Sequence, residues 1–261
     1  MALTLSPILL LLGSGALVGA TLGLIGGGGS VLAVPLLIYL VGVPSAHVAI
    51  GTSSVAVALN GATGLFSHAR LGTVKWPCAL VFTASGVAGA LVGAHFGQQL
   101  GGNQLLALFG TFMIAVGLYM LAVRPKTGGE DVRLTAHTAS YLLPRLVLIG
   151  GVVGLLSGFF GIGGGFLIVP GLILATGMAL RNAIATSLLA VTAFGLATAT
   201  SYMAAGLVDW RLAALIIAGG ILGTLLGTRA NVALARHKAA LSYTFAGAVI
   251  GVGTYIVAAG L

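Results

Sequence analysis

Uncharged apolar runs of roughly 17–25 residues recur from Leu5 almost to the C-terminus, and that length crosses a hydrocarbon core of about 30 Å. Backbone N–H and C=O groups inside lipid must bond within their own structure, which leaves α-helices or a closed β-barrel. The runs lack period-two alternation and are rich in Leu, Ala and Gly. The chain therefore reads as an all-α polytopic membrane protein. Charged residues make up 5% of the 261 residues, against about a quarter in a soluble domain. The net charge of +8 is not a nucleic-acid footprint, because the basic residues gather in short loops between spans, as orientation signals do. Residues 1–20 lack the positive n-region of a signal peptide and are expected to belong to the fold. The lone Cys78 allows no intrachain disulfide.

The sequence repeats itself. At a shift of 135, Gly15, Gly19 and Gly23 pair with Gly150, Gly154 and Gly158, and Gly26, Gly28 and Gly29 pair with Gly161, Gly163 and Gly164. Pro35 pairs with Pro170 at the same shift. After a one-residue deletion the shift becomes 134, pairing Thr52-Ser53 with Thr186-Ser187, Gly72 with Gly206 and Trp76 with Trp210. This divides the chain into a first membrane repeat, 1–123, a cytoplasmic linker, 124–143, and a second membrane repeat, 144–261. Five segments are expected in each repeat: 5–24, 30–41, 46–69, 77–98 and 104–123, then 144–160, 165–176, 181–205, 211–229 and 240–259. The first two of each repeat form either one kinked span or two passages, broken or re-entrant. With two passages the halves are inverted, and every basic residue except Arg211 lies inside, as the positive-inside rule prefers. With one span, Arg181, Arg229, Arg236 and Lys238 fall outside. Two inverted repeats of about five segments are therefore expected. Trp76 and Trp210, each starting the fourth segment, read as aromatic-belt residues.

Between the first two segments of each half stand Gly26-Gly27-Gly28-Gly29-Ser30 and Gly161-Ile162-Gly163-Gly164-Gly165. Broken backbone at membrane depth survives only against protein or a water-filled cavity. A helix that restarts there points free N–H groups and the positive end of its dipole into the gap, which suits an anion. Inverted-repeat transporters put substrate between paired broken helices. The expected site is thus made of backbone N–H groups of Gly27, Gly28, Gly29 and Ser30 and of Gly163, Gly164, Gly165 and Phe166. The alternative is that the glycines serve tight turns and close packing alone. Neither cluster precedes the Lys-Ser/Thr of a nucleotide loop.

In the third segment Thr52, Ala56, Asn60, Thr63, Ser67 and Arg70 share one helix face about 27 Å long; the second half reads Thr186, Ala190, Phe194, Ala197, Ser201, far less polar. Thr52, Asn60 and Thr186 either complete the substrate shell or hydrogen-bond between packed helices. The spacings Gly89-x3-Gly93-x3-Gly97 and Gly219-x3-Gly223-x3-Gly227 are helix-packing ridges, within one chain or at a homodimer seam. His47, His68 and His95 lie near segment ends and read as interfacial. Asp209 is interfacial as well, so no carboxylate lies within a span. A carboxylate proton relay, an acidic catalytic pair and a metal-ligand cluster are all unsupported. Neither enzyme nor cofactor is expected.

The segments Gly23-Leu-Ile-Gly-Gly-Gly-Gly-Ser-Val-Leu-Ala-Val-Pro35 and Gly158-Phe-Phe-Gly-Ile-Gly-Gly-Gly-Phe-Leu-Ile-Val-Pro170 resemble the doubled signature of the sulfite exporter (TauE/SafE) family of membrane permeases. Ile50-Gly-Thr-Ser53, Ile184-Ala-Thr-Ser187 and the Gly-x-Val-x-Trp stretches at 72–76 and 206–210 fit the same pattern. The resemblance implies a bacterial or archaeal inner-membrane protein that carries sulfite, an organosulfonate or a related small anion, commonly outward, by alternating access. An anion channel and a carrier of small carboxylates are the alternatives. Ser30 is replaced by Gly165 in the second half, so the two clusters need not contribute equally.

Overall fold

The computed structural model describes residues 5–122, 136–163, 165–233 and 238–260. The first half runs α1 (Leu5–Ile25), a 3₁₀ segment (Gly26–Leu32), α2 (Ala33–Pro35), a π-type turn (Leu36–Leu40), α3 (Ala46–Arg70), α4 (Trp76–Gln99) and α5 (Gly102–Ala122). The second runs α6 (Ala136–Phe160), α7 (Gly165–Thr176), α8 (Leu180–Ala204), α9 (Trp210–Ala233) and α10 (Lys238–Gly260). Among the described residues, seven helices are long and apolar enough to span a bilayer. Their outward faces carry Leu148, Leu222 and Leu226, an apolar surface suited to lipid. Trp76 and Trp210 are exposed at the first positions of α4 and α9.

Helix α6 starts at Ala136 rather than at 144. Hydropathy sees only the apolar run after Pro144, whereas Ala139, Leu142 and Leu143 are good helix formers and carry the helix upstream through that proline. Residues 136–143 of the expected linker are therefore helical, and 124–135 lie outside the described residues.

Glycine ridges hold the bundle together. A Cβ on Gly19 would overlap the Gly220 carbonyl of α9, and one on Gly154 would overlap the Gly86 carbonyl of α4. Backbone meets backbone here, leaving no room for a side chain. Gly15 rides on Ile216, Gly19 on Gly220 and Gly23 on Thr224, so α1 and α9 run in the same direction. Gly86, Gly93 and Gly97 meet Gly150, Leu155 and Phe159, so α4 and α6 do too. Helix α3 joins the first pair, with Asn60 against Gly220 and Gly64 against Thr224. Helix α8 joins the second, with Phe194 on Gly86. The groups α1/α3/α9 and α4/α6/α8 meet where α3 crosses α8 in the opposite sense: Gly61 packs on Thr192, Gly64 on Leu188 and Gly195 on Ala58. Helices α5 and α10 also oppose each other, with Gly110 on Gly253 and Gly117 on Ile250. Both ridges that allowed a homodimer seam are thus covered within the chain.

The two Gly-x-Val-x-Trp stretches clasp the halves together. Gly72 and Gly206 turn the chain out of α3 and α8 through bonds to the Ala69 and Met203 carbonyls. The Lys75 N–H then donates to Thr186 Oγ1 at 3.1 Å, and the Asp209 N–H donates to Thr52 Oγ1 at 3.0 Å. Each half's loop is tied to the other half's third helix.

Candidate functional site

Both glycine-rich stretches interrupt their helices, by different means. In the second half, α6 ends with the Gly161 and Ile162 N–H groups donating to the Gly158 and Ser157 carbonyls, and Gly161 and Gly163 take left-handed φ values of 66° and 62°. Helix α7 restarts at Gly165. In the first half the chain leaves α1 through Gly26, φ 75°, directly into the 3₁₀ segment. A 3₁₀ helix bonds each N–H to the carbonyl three residues back, so Gly29 and Ser30 have partners within the segment and only the first turn can offer N–H groups outward. The expected first cradle, Gly27–Ser30, narrows to its glycine end.

The returning segments are short. Helix α7 has 12 residues, about 18 Å of α-helix against a core of about 30 Å. Proline weakens both: Pro170 inside α7, like Pro35 before the π-type turn, removes one helical N–H. Gly29 folds back onto Thr21 and Leu22 of α1, so the first break reverses the chain, and α7 likewise packs back on α6.

The second half's returning helix α7 packs against the first break, Gly26–Leu32, and each break is seated on the other half's third helix. Gly161 lies against Ile50 of α3, and Gly163 against Val57 of α3 and the Val191 carbonyl of α8. Gly26 lies against Ile184 and Ser187 of α8, the repeat equivalents of Ile50 and Ser53. Ser54 Oγ donates its one hydrogen to either the Ile50 carbonyl at 2.8 Å or the Gly161 carbonyl at 3.1 Å. Ser53, Ser54 and Ser187 are all buried. The arrangement brings glycine backbone to the α3–α8 crossing, with Ser54 toward one end of it and Ser187 toward the other, and no carboxylate lines it among the described residues.

The expected residues divide. Gly27, Gly28, Gly29, Ser30, Gly163 and Gly165 belong to the two breaks and the restart of α7, and Gly164 lies outside the described residues. The Phe166 side chain is buried in an aromatic cluster with Phe112 at 5.9 Å, so only its backbone is directed by the start of α7. Thr52 and Thr186 hold the clasp loops. Asn60 points to Gly220 of α9, roughly 80° around α3 from the face that carries Ile50, Ser54 and Val57. Sequence reasoning missed Ser54 and Ser187. Ser187 was visible beside Thr186, but only the seating of each break on the opposite half tells which hydroxyl faces it. Away from the centre, an open cleft of about 400 Å³ is lined by Val48, Gly206, Val208, Asp209, Trp210 and Arg211.

Comparison with known proteins agrees with this architecture. The family model described as sulfite exporter TauE/SafE matches residues 11–256. A probable membrane transporter protein of Xylella fastidiosa (strain Temecula1) is 45% identical, over 98% of this chain and 97% of its own length. The probable membrane transporter protein YunE of Bacillus subtilis is 31% identical, over 86% and 88%. MJ0441 of the archaeon Methanocaldococcus jannaschii, also a probable membrane transporter protein, is 31% identical, over 78% and 74%. No solved structure matches the chain.

Proposed function

The chain belongs to the sulfite exporter TauE/SafE family of multi-pass membrane transporters, and from that premise we propose that it is a secondary transporter, working as an exporter in a bacterial or archaeal cytoplasmic membrane. Its substrate is a small sulfur-containing anion such as sulfite or an organosulfonate. The observation that carries this reading is that each glycine break is seated on the other half's third helix, with the second half's returning helix packed against the first break. Backbone N–H groups of the first break's opening turn and of residues 163–166 bind the anion as it passes, with the Ser187 hydroxyl at the first break and the Ser54 hydroxyl at the second. Such preorganised donors suit negative charge in a place water scarcely reaches. Neither a metal nor a cofactor enters this reading.

The opposed directions of α1 and α6, α3 and α8, α4 and α9, and α5 and α10 support two halves inverted across the bilayer. That inversion makes α1/α3/α9 and α4/α6/α8 interchangeable bodies. Alternating access follows from rocking one against the other about the α3–α8 crossing, with the breaks as the fixed site. Counterflow in proteoliposomes tests the reading: preloaded unlabelled anion should drive saturable uptake of labelled sulfite, thiosulfate, sulfoacetate or taurine. Flux that rises without saturation would make the protein a channel. Exchange of small carboxylates alone would reassign the substrate, and no flux at all would end the transport reading.

A further inference from the structure

The end of the bundle that carries Asp209 and Arg211, outside by the distribution of basic residues, holds a histidine between helices of both bodies. His47 is the second residue of α3, and its Nε2 lies 3.1 Å from the carbonyl oxygen of Leu100 at the end of α4. A carbonyl only accepts, so Nε2 carries the hydrogen and, in the neutral ring, Nδ1 keeps a lone pair. Nδ1 is buried, and nothing in the chain donates to it. The Tyr202 ring of α8 stands beside the imidazole, centroids 6.4 Å apart. Tyr202 is 0% exposed, and its hydroxyl has no hydrogen-bond partner within the chain either. Gly51, one turn along α3, is pressed against Tyr202 Cβ and the Leu207 carbonyl, which seats both rings at the seam between α3 and α8.

The other titratable and charged groups around the imidazole are engaged or exposed. Asp209, in the loop into α9, caps that helix by accepting at Oδ1 from the Arg211 and Leu212 N–H groups. Arg211 is exposed beside it. His95 of α4 is exposed and bonded to Gln99 at 3.0 Å, and the start of α5, where Gly102 packs on Ala46, brings none. At the opposite end the repeat puts Arg181 in the place of His47 and His68 in the place of Tyr202. An arginine keeps its charge throughout the physiological range, whereas a histidine changes charge between about pH 5 and 8.

We propose that His47 forms a proton-dependent anion site at the outer mouth: the imidazolium, with the Tyr202 hydroxyl beside it, holds one small oxoanion, and the neutral ring releases it. A proton on Nδ1 makes a charged N–H for which the chain has no acceptor. An oxoanion supplies the acceptor and the countercharge together, so proton and anion each favour the other's binding. The Nε2 bond joins α3 to the end of α4, one helix from each body, so the imidazole stands at the seam that parts as the outer mouth opens. The proposal rests on the transport reading for its choice of anion, and it adds the proton to the species the carrier binds.

Binding and flux test it separately. Thiosulfate keeps its charge across this interval, so a pH dependence of its binding belongs to the protein. In detergent, the rise in melting temperature given by thiosulfate or sulfoacetate should correspond to about tenfold tighter binding at about pH 5.5 than at about pH 8. His47→Gln keeps a donor for the Leu100 carbonyl and should bind at both values as weakly as the wild type does at the higher one. His47→Arg, which copies the opposite end, should bind at both values as the wild type does at the lower one. In right-side-out vesicles the external KM for counterflow should follow the same pattern. No binding at the lower pH, binding indifferent to pH in the wild type, or the same pH dependence in His47→Gln overturns the proposal. Binding linked to pH through His47 in a chain that carries nothing would keep this site and remove the transport reading; saturable counterflow with a KM indifferent to external pH would do the reverse.

Discussion

Replacing Gly163 with alanine, beside a matched replacement of Gly206, separates backbone strain from damage to the proposed site. Both glycines hold left-handed backbone, φ 62° and 71°, so both substitutions carry the same conformational penalty, about 1–2 kcal/mol. They differ in what the methyl meets. At Gly206 nothing lies within 4 Å, whereas at Gly163 the new carbon would sit 2.8 Å from Val57 Cγ1. Carbon atoms rest at roughly 3.5–4.0 Å, so α3 and the break must part by close to an ångström, at an overpacking cost of about 1–3 kcal/mol. With about 2–4 °C of melting temperature per kcal/mol for a chain of 150–250 residues, Gly206→Ala should melt a few degrees low and Gly163→Ala several degrees lower again. Both should still insert and fold. The decisive readout is counterflow at a temperature below both transitions. Gly206→Ala should keep it, and Gly163→Ala should lose most of it because the N–H groups after the break no longer converge on one point. Equal transport by two folded variants would refute the idea that this backbone holds the substrate.

Thr52→Val removes the acceptor for the Asp209 N–H and should cost about 1–3 kcal/mol, seen as a lower melting temperature with an unchanged substrate KM; a raised KM at unchanged stability would return Thr52 to the substrate shell. Asn60→Leu replaces a carboxamide without a hydrogen-bond partner in the chain with a side chain of similar shape, a change that is near neutral or stabilising when polar partners are absent, so thermal melting should hold or rise, and unchanged counterflow would remove Asn60 from the substrate shell. Ser54→Ala takes away the hydrogen shared between the Ile50 and Gly161 carbonyls and should reduce transport with a stability loss of about 1 kcal/mol, measured by counterflow and melting together. Gly19→Leu drives a side chain into the Gly220 backbone and should abolish folded protein, read as loss of the monodisperse peak in detergent chromatography.

Most element boundaries were legible because they follow from solvent: apolar runs long enough to cross lipid become helices, and glycine and proline interrupt them. Gly161–Gly163 behaves as its composition suggests. Gly26–Leu32 departs, because nothing local tells a run of glycines whether to open as a loop or tighten into a 3₁₀ turn; its packing on Thr21 and Ile184 decides. Thr52 and Asn60 share a stripe in the sequence yet serve different neighbours, since one helix face spans both a clasp loop and a packed glycine ridge.

The sequence by itself determined that the chain is a doubled set of membrane helices with two matched glycine interruptions, because periodicity, composition and repeat register are properties of the chain alone. Which helices touch was decided only by the tertiary structure. The first helix of each half lies on the fourth of the other, and each break rests on the opposite half's third helix. Close backbone approach depends on both surfaces at once, and a glycine ridge read alone does not say which partner it fits.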